Sequence, residues 1–450
     1  MKRAVLLVFF VLLCATAAVF SQTTLPTPTP TRPREVVHTQ TDLPSPTPTV
    51  VPRVIITNAP TPLPTPISTP RPVSTPFGNP IPVDAPVSPV TPTQIFPAPT
   101  PIPRPAPTFY KPLTFAEIKK NIAEAKRQMM TRPMPTAMTD SFLITDVIRI
   151  AFYDYKASDI DYIVMMKANF LDKKNSEFTT TTSNGKLVTV RNVRANGVNT
   201  PVLVIDEDNK AHLPLLVQYP VEREGKFYEM AFYMSTHPGI VTPEVINAGR
   251  IYVRNIIDVA RTNLQKKGIY ISPQITDMAE RLSIVEHVDH QRFKNEYQPT
   301  IFNDIFALYA LNEGQTYRYS VSTAGAGGMV QMIPWTYNMI RQRYYNVGLT
   351  PDFVEGMRNH TNAATAMLLY MQITWNEITA SETVNEALAS GIATPAELMS
   401  AGYNSNPAKL AGYIKRGGAN WKNLIPRETK IYLQINASMD KYVPYLPRAK

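Results

Sequence analysis

The sequence predicts an α+β protein: a small antiparallel β-rich part, then a mainly helical body, both behind a long arm with no packed core. Three observations carry that expectation. Twenty-seven of the 43 prolines fall between Pro26 and Pro112. Runs of β-formers broken by turn residues fill the stretch from Phe142 to Met234. From Pro243 on, apolar residues recur at helical spacing instead.

Residues 1–21 read as a secretion signal. Lys2 and Arg3 precede an almost wholly apolar stretch, Ala4 to Phe20, and small residues follow. That stretch is 17 residues long, the lower limit for a bilayer span, so an uncleaved anchor stays open. The only cysteine, Cys14, lies inside it. The remaining chain therefore has no disulfide, thiolate nucleophile or cysteine metal site. Residues 22–112 repeat Thr-Pro and Pro-x-Pro units, a composition that favours extended polyproline conformation. At ~3.1 Å per residue this arm would reach about 280 Å. It reads as a spacer, or as a tolerated disordered tail. Net charge is +10, which suits an anionic polymer and also suits plain solubility.

Residues 113–240 are expected to hold one helix and a β-rich accessory domain. Thr114 can cap a helix to about Met130, with Ile118, Ile122 and Ala125 on one side. Val147–Tyr153 is rich in β-formers, and Phe178–Val193 holds two extended runs joined at Asn184-Gly185. Val202–Ile205, Leu215–Tyr219 and Phe227–Met234 continue the pattern, with turns at Asp206–Asn209 and Glu224-Gly225. Asp206, Glu207 and Asp208 could bind a cation, but an acidic hairpin turn is the plainer reading.

Residues 241–450 are expected to be helical and to carry the chemistry. Val245–Lys267 and Thr276–Lys294 read as two long amphipathic helices. The second contains Glu286-His287-Val288-Asp289-His290, which we read as a buried polar network rather than a metal site. Phe302, Phe306, Tyr309 and Glu313 are spaced by 4, 3 and 4, one face of a helix. Glu313 would thus end a buried aromatic stripe beside Gly314, a helix-stop residue. Loss of water and the negative end of the helix dipole both favour a protonated carboxyl. That is what a general acid needs to cleave a glycosidic bond. A glutamate pointing to solvent is the alternative.

Further motifs follow. Ser322 to Pro334 is a glycine-rich turn leading into a proline-started helix. Then come Asn362-Ala363-Ala364, Tyr403-Asn404 and Pro426-Arg427-Glu428-Thr429 with Tyr432. Over about 300–440 these residues resemble the soluble lytic transglycosylase family, whose fold is shared with goose-type lysozymes. The matched positions are Glu313, Ser322, Gly328, Gln331, Pro334, Tyr403, Asn404, Pro426, Glu428, Thr429 and Tyr432. The chain departs from the family at Gly314, Met329-Val330, Gly402 and Asn406.

The resemblance implies a mainly helical lysozyme-like catalytic domain and an exported, cell-envelope enzyme. It would cleave the MurNAc–GlcNAc bond of peptidoglycan and close a 1,6-anhydro ring. Glu313 would act as acid and then as base, with the substrate's N-acetyl group meeting the positive charge. Ser322, Gly328, Gln331, Tyr403, Asn404 and Tyr432 would bind the sugar or orient the acid. The partners implied are peptidoglycan glycan strands, with other cell-wall proteins open. No nucleic acid, cofactor or metal is called for, and a membrane enters only through an uncleaved anchor. Two alternatives remain: a non-catalytic wall-binding protein, and a lysozyme-type hydrolase if a second carboxylate, with Glu428 as candidate, faces the first. Of the aromatics, Tyr317, Tyr319, Trp335, Tyr337, Tyr344 and Tyr345 could line a sugar groove or the core.

Overall fold

A computed structural model describes residues 105–132, 144–195, 197–322 and 324–449. The expected signal, and the arm up to residue 104, lie outside the described residues. The protein is α+β as the sequence predicts, with a curled antiparallel sheet followed by a helical body.

The sheet uses β1 (Thr108–Phe109), β2 (Val147–Asp154), β3 (Asp159–Met166), β4 (Glu177–Thr181), β5 (Leu187–Asn192), β6 (Val202–Ile205), β7 (Lys210–Arg223) and β8 (Lys226–Tyr233). Its order is β3-β2-β7-β6-β5-β4, with β1 and β8 also paired to β7. β1 belongs to the stretch expected to be core-less. Its parallel pairing to Lys210 and Ala211 brings the end of the arm into the fold. β3 had no clear strand signature, yet pairs with β2 along its full length.

β7 is the spine. Its register to β2 skips a residue where Ala151 faces Leu216 and Phe152 faces Pro214. Proline has no N–H to give the ladder, so the strand bulges there and the sheet curls. The acidic turn before β7 is closed by its own aspartate. Asp206 Oδ1 accepts from the N–H groups of Asp208 (3.0 Å) and Lys210 (2.9 Å). Lys156 neutralises Asp206 and Asp208 at 2.9 and 2.6 Å.

Helix α1 (Phe115–Thr131) starts at the expected Thr114, which forms a capping box with Glu117. α2 (Lys167–Phe170) is a single turn after β3. The body holds α3 (Pro243–Lys266), α4 (Pro273–Val285), α5 (His290–Asn295), α6 (Gln298–Asn312), α7 (Pro334–Arg343), α8 (Phe353–Arg358) and α9 (His360–Thr379). It ends with α10 (Glu382–Ala389), α11 (Pro395–Asn404), α12 (Leu410–Gly417) and α13 (Arg427–Tyr442). Among the described residues no helix is long and apolar enough to cross a membrane.

The change of secondary structure at residue 240 does not divide the core. One apolar cluster joins Ile118 and Met129 of α1, Leu213 and Leu215 of β7, Val245 of α3, and Ala307 and Ala310 of α6. Asn312 pins the joint. Its Oδ1 accepts from the Met234 N–H (2.8 Å) and its Nδ2 donates to the Met234 carbonyl (2.7 Å). α3 lies directly on the α6 backbone because position 249 is glycine. A Cβ there would sit 1.9 Å from the Phe306 carbonyl oxygen.

Gly249→Ala must therefore push α3 off α6. Urea unfolding followed by circular dichroism is expected to show a loss of about 2–3 kcal/mol. An unchanged midpoint would mean that the two helices are not in backbone contact.

Candidate active site

A cavity of about 560 Å³ lies between the sheet and the helical body. Lys167, Asn199, Tyr219 and Glu222 line it from the sheet side. Glu286, His287, Asp289, Tyr317, Tyr319, Ser322 and Gln331 line it from the helical side. A larger hollow, about 950 Å³, lies by the C-terminal tail and is lined by residues such as Tyr270, Asp277 and Arg448. In it Arg448 pairs with Asp258, Asp277 and Glu280, Arg281 pairs with Asp440, and no motif residue reaches it.

The smaller cavity owes its carboxyl to a break in the expected helix over 276–294. Asp289 Oδ1 accepts from the N–H groups of Gln291 (2.8 Å) and Arg292 (2.9 Å) and caps α5. An N-cap residue has extended dihedrals, so a helix cannot run through it. α4 ends at Val285, and Glu286 becomes its C-cap. Glu286 is only 6% exposed, and the Tyr432 hydroxyl donates to its Oε1 at 3.0 Å.

His287 follows at once. Its Nε2 lies 3.0 Å from the Met329 carbonyl oxygen, and the Tyr317 ring is parallel to it with centroids 3.4 Å apart. A carbonyl only accepts, so Nε2 carries the hydrogen. Burial pushes the imidazole down to about 3, against the pull of the Met329 carbonyl. The ring is neutral at ordinary pH. His287 and His290 do not converge as a pair, because the break separates them and His290 is buried at the start of α5.

Glu313 is elsewhere. Phe302, Phe306 and Tyr309 are buried as expected, but the stripe stops before the glutamate. The helix ends at Asn312, and Glu313 takes a left-handed φ of 42° as its C-cap. This swings the side chain off the buried face. It is 55% exposed and paired with Lys119 of α1. The expectation of a buried acid at Glu313 is corrected.

Gln331 is brought to the cavity. Its Nε2 donates to Ser320 Oγ (3.1 Å) and to the Gly328 carbonyl (2.9 Å). Gly328 has φ 66°, and a Cβ there would sit 2.3 Å from the Met357 carbonyl oxygen, so the turn requires glycine. Ser322 lines the cavity, but its Oγ accepts from the Ala326 N–H at 3.0 Å and shapes the loop. Two expected sugar contacts are corrected. Tyr403 is buried behind the turn, with its hydroxyl on the Val330 carbonyl at 2.7 Å. Asn404 is buried with Oδ1 accepting from Thr429 Oγ1 at 2.9 Å, and is not part of the cavity wall. Tyr432 does orient a carboxyl, but that of Glu286. Glu428 lies in the first turn of α13 and does not line the cavity. Of the six aromatics, Tyr317 and Tyr319 face the cavity, Tyr337 is core, Tyr344 packs against the core, and Trp335 and Tyr345 are exposed.

A sequence signal for Glu286 exists. Ile275, Ala279, Leu282 and Glu286 are spaced by 4, 3 and 4, the same pattern that marks Glu313, and the three apolar members are buried. Comparison with known proteins found no matching family model, curated protein or solved structure.

Histidine burial extends beyond the site. All five histidines among the described residues lie below their ordinary value of 6.5 through burial, His237 down to about 4. The unfolded chain takes up these protons near pH 6.5 and the folded chain refuses them. Stability is therefore complete above that pH and falls as pH drops toward 4. Calorimetry is expected to show Tm falling by more than about 5 °C between pH 7 and 5, before carboxylates protonate. A flat Tm across that range would contradict the buried neutral state.

Proposed function

We propose that the chain is an exported lytic transglycosylase on a lysozyme-like fold, acting on peptidoglycan glycan strands in the cell envelope, with Glu286 as its single acid and base. One observation carries the reading. The tyrosine of the C-terminal motif, Tyr432, hydrogen-bonds a carboxyl that is nine-tenths buried in a cavity also lined by Gln331 and Ser322. Three of the motif residues, Ser322, Gln331 and Tyr432, thus lie at Glu286 rather than at Glu313.

The chemistry follows from that placement. A buried carboxyl on a cavity wall has the withdrawal from water that a general acid requires. Glu286 would give its proton to the oxygen between MurNAc and GlcNAc. The C–O bond breaks with its electron pair on the departing oxygen, and the substrate's N-acetyl carbonyl meets the cation at the anomeric carbon. The Glu286 carboxylate then takes the proton of the muramyl 6-hydroxyl, whose oxygen closes the 1,6-anhydro ring. Gln331, whose Nε2 hydrogens are committed to Ser320 and Gly328, offers its amide oxygen as acceptor to the glycan, and Tyr432 holds the acid in place. No second carboxylate and no water take part.

One feature favours hydrolysis as the second reading. Glu222 lines the same cavity as Glu286 from the sheet side, and a two-carboxyl mechanism needs a second such group across the glycan. It is paired with Lys167, which orients it.

Digestion of purified peptidoglycan separates these readings. Wild type is expected to release anhydro-muropeptides. Glu286→Gln should lower the rate at least about 1000-fold, and Glu313→Gln should change it less than about threefold. Reducing-end products that vanish in Glu222→Gln would make the protein a hydrolase. The opposite ranking of the two glutamates would restore Glu313. No soluble product from wild type would leave a wall-binding protein.

A further inference from the structure

We infer that His287 is a positioning residue whose Nδ1 accepts a hydrogen bond from a hydroxyl of the glycan bound beside Glu286. The inference rests on the glycan-cleaving reading of this cavity and adds a further protein group to it. Three features of the ring lead there. Its Nε2 hydrogen is committed to the Met329 carbonyl at 3.0 Å, which leaves the lone pair on Nδ1. The Tyr317 ring, parallel at 3.4 Å, covers one face and fixes the plane. Nδ1 makes no hydrogen bond among the described residues, nor is it shut away from solvent as an orphaned buried atom.

An acceptor that is held in one tautomer and one plane, next in sequence to the buried carboxyl, has a defined use. Sugar hydroxyls are donors, and a cavity for glycan has to choose which one faces the acid. Burial keeps this imidazole neutral, so the acceptor persists in mildly acidic conditions. Tyr317 is held in turn by a left-handed backbone (φ 58°), so the stacking geometry is built into the loop.

Two substitutions separate positioning from a structural tie. In His287→Gln the amide can still donate to the Met329 carbonyl, but nothing accepts at the Nδ1 position. In His287→Asn the carbonyl oxygen sits near that position, but the side chain is too short to reach Met329. Muropeptide release and Tm are measured for both. Positioning predicts a near-native Tm for Gln with kcat down about tenfold or more and KM little changed. It predicts higher kcat for Asn than for Gln, despite a lower Tm. The reverse order, Gln active and Asn impaired, makes His287 a structural tie and overturns the inference while the glycan-cleaving reading stands. Absence of product from wild type overturns both.

A second measurement does not depend on the variants folding. In wild type the imidazole ¹⁵Nδ1 resonance is followed while an N-acetylglucosamine tetramer is added. An upfield shift of Nδ1 with Nε2 unmoved supports the new hydrogen bond. An unmoved Nδ1 at saturating glycan overturns it.

Discussion

The site depends on the cap that Asp289 makes. Without it, the apolar periodicity of 273–294 would run on as one helix, and Glu286 would be a mid-helix residue with its backbone fully paired. By accepting two N–H groups of the next helix, Asp289 ends the first one at Val285. The break leaves Glu286 and His287 at the end of a rigid helix, facing the turn over Gly328–Gln331. A helix terminus holds a side chain more firmly than a loop does, and a reacting group must be held to within a fraction of an ångström.

That turn is fixed from three directions. Its successive carbonyls, on Gly328, Met329 and Val330, each accept from a different side chain: Gln331, His287 and Tyr403. The donors come from the turn itself, from the break after α4 and from the end of α11. A buried carbonyl without a donor costs about 1–3 kcal/mol, so each of these bonds holds the turn in place as well as satisfying it. Tyr403 therefore acts through the backbone, from behind the cavity wall, which reconciles its burial with its place in the motif.

Much of the fold was legible because it obeys local rules. The Thr114 cap, the Asn184-Gly185 hairpin and the proline-started α3 and α7 follow from capping and turn chemistry alone. β3 and the helix break were not legible. The charged Asp159 and Asp161 interrupt the strand pattern, and the buried Asp161 is satisfied by Thr182 Oγ1, 2.5 Å away in another hairpin, and by the N–H groups of Tyr162 and Asn184. The site was half legible for a related reason. Glu286 and Glu313 end identical 4-3-4 apolar stripes. The choice between them is made by two distant residues, Tyr432, which bonds the first, and Lys119, which pairs with the second. Spacing reports which side of a helix a residue is on. It does not report what that side meets.

The sheet forms one side of the cavity, which its sequence does not advertise. Lys167 and Glu222 stand at the cavity wall from β-rich elements, and Tyr319, from the loop after α6, packs against the sheet's core while facing the same space. The two halves are tied around it. Asn312 holds the Met234 backbone, and Arg358 of α8 reaches Glu229 of β8 at 3.0 Å. A glycan lying against Glu286 would be in contact with both halves at once. Its fit would then be set by how firmly those ties hold the sheet to the body. On this geometry the β-rich part is one wall of the cavity that Glu286 lines, and the helical body alone would leave that cavity open on the side where Lys167, Tyr219 and Glu222 stand.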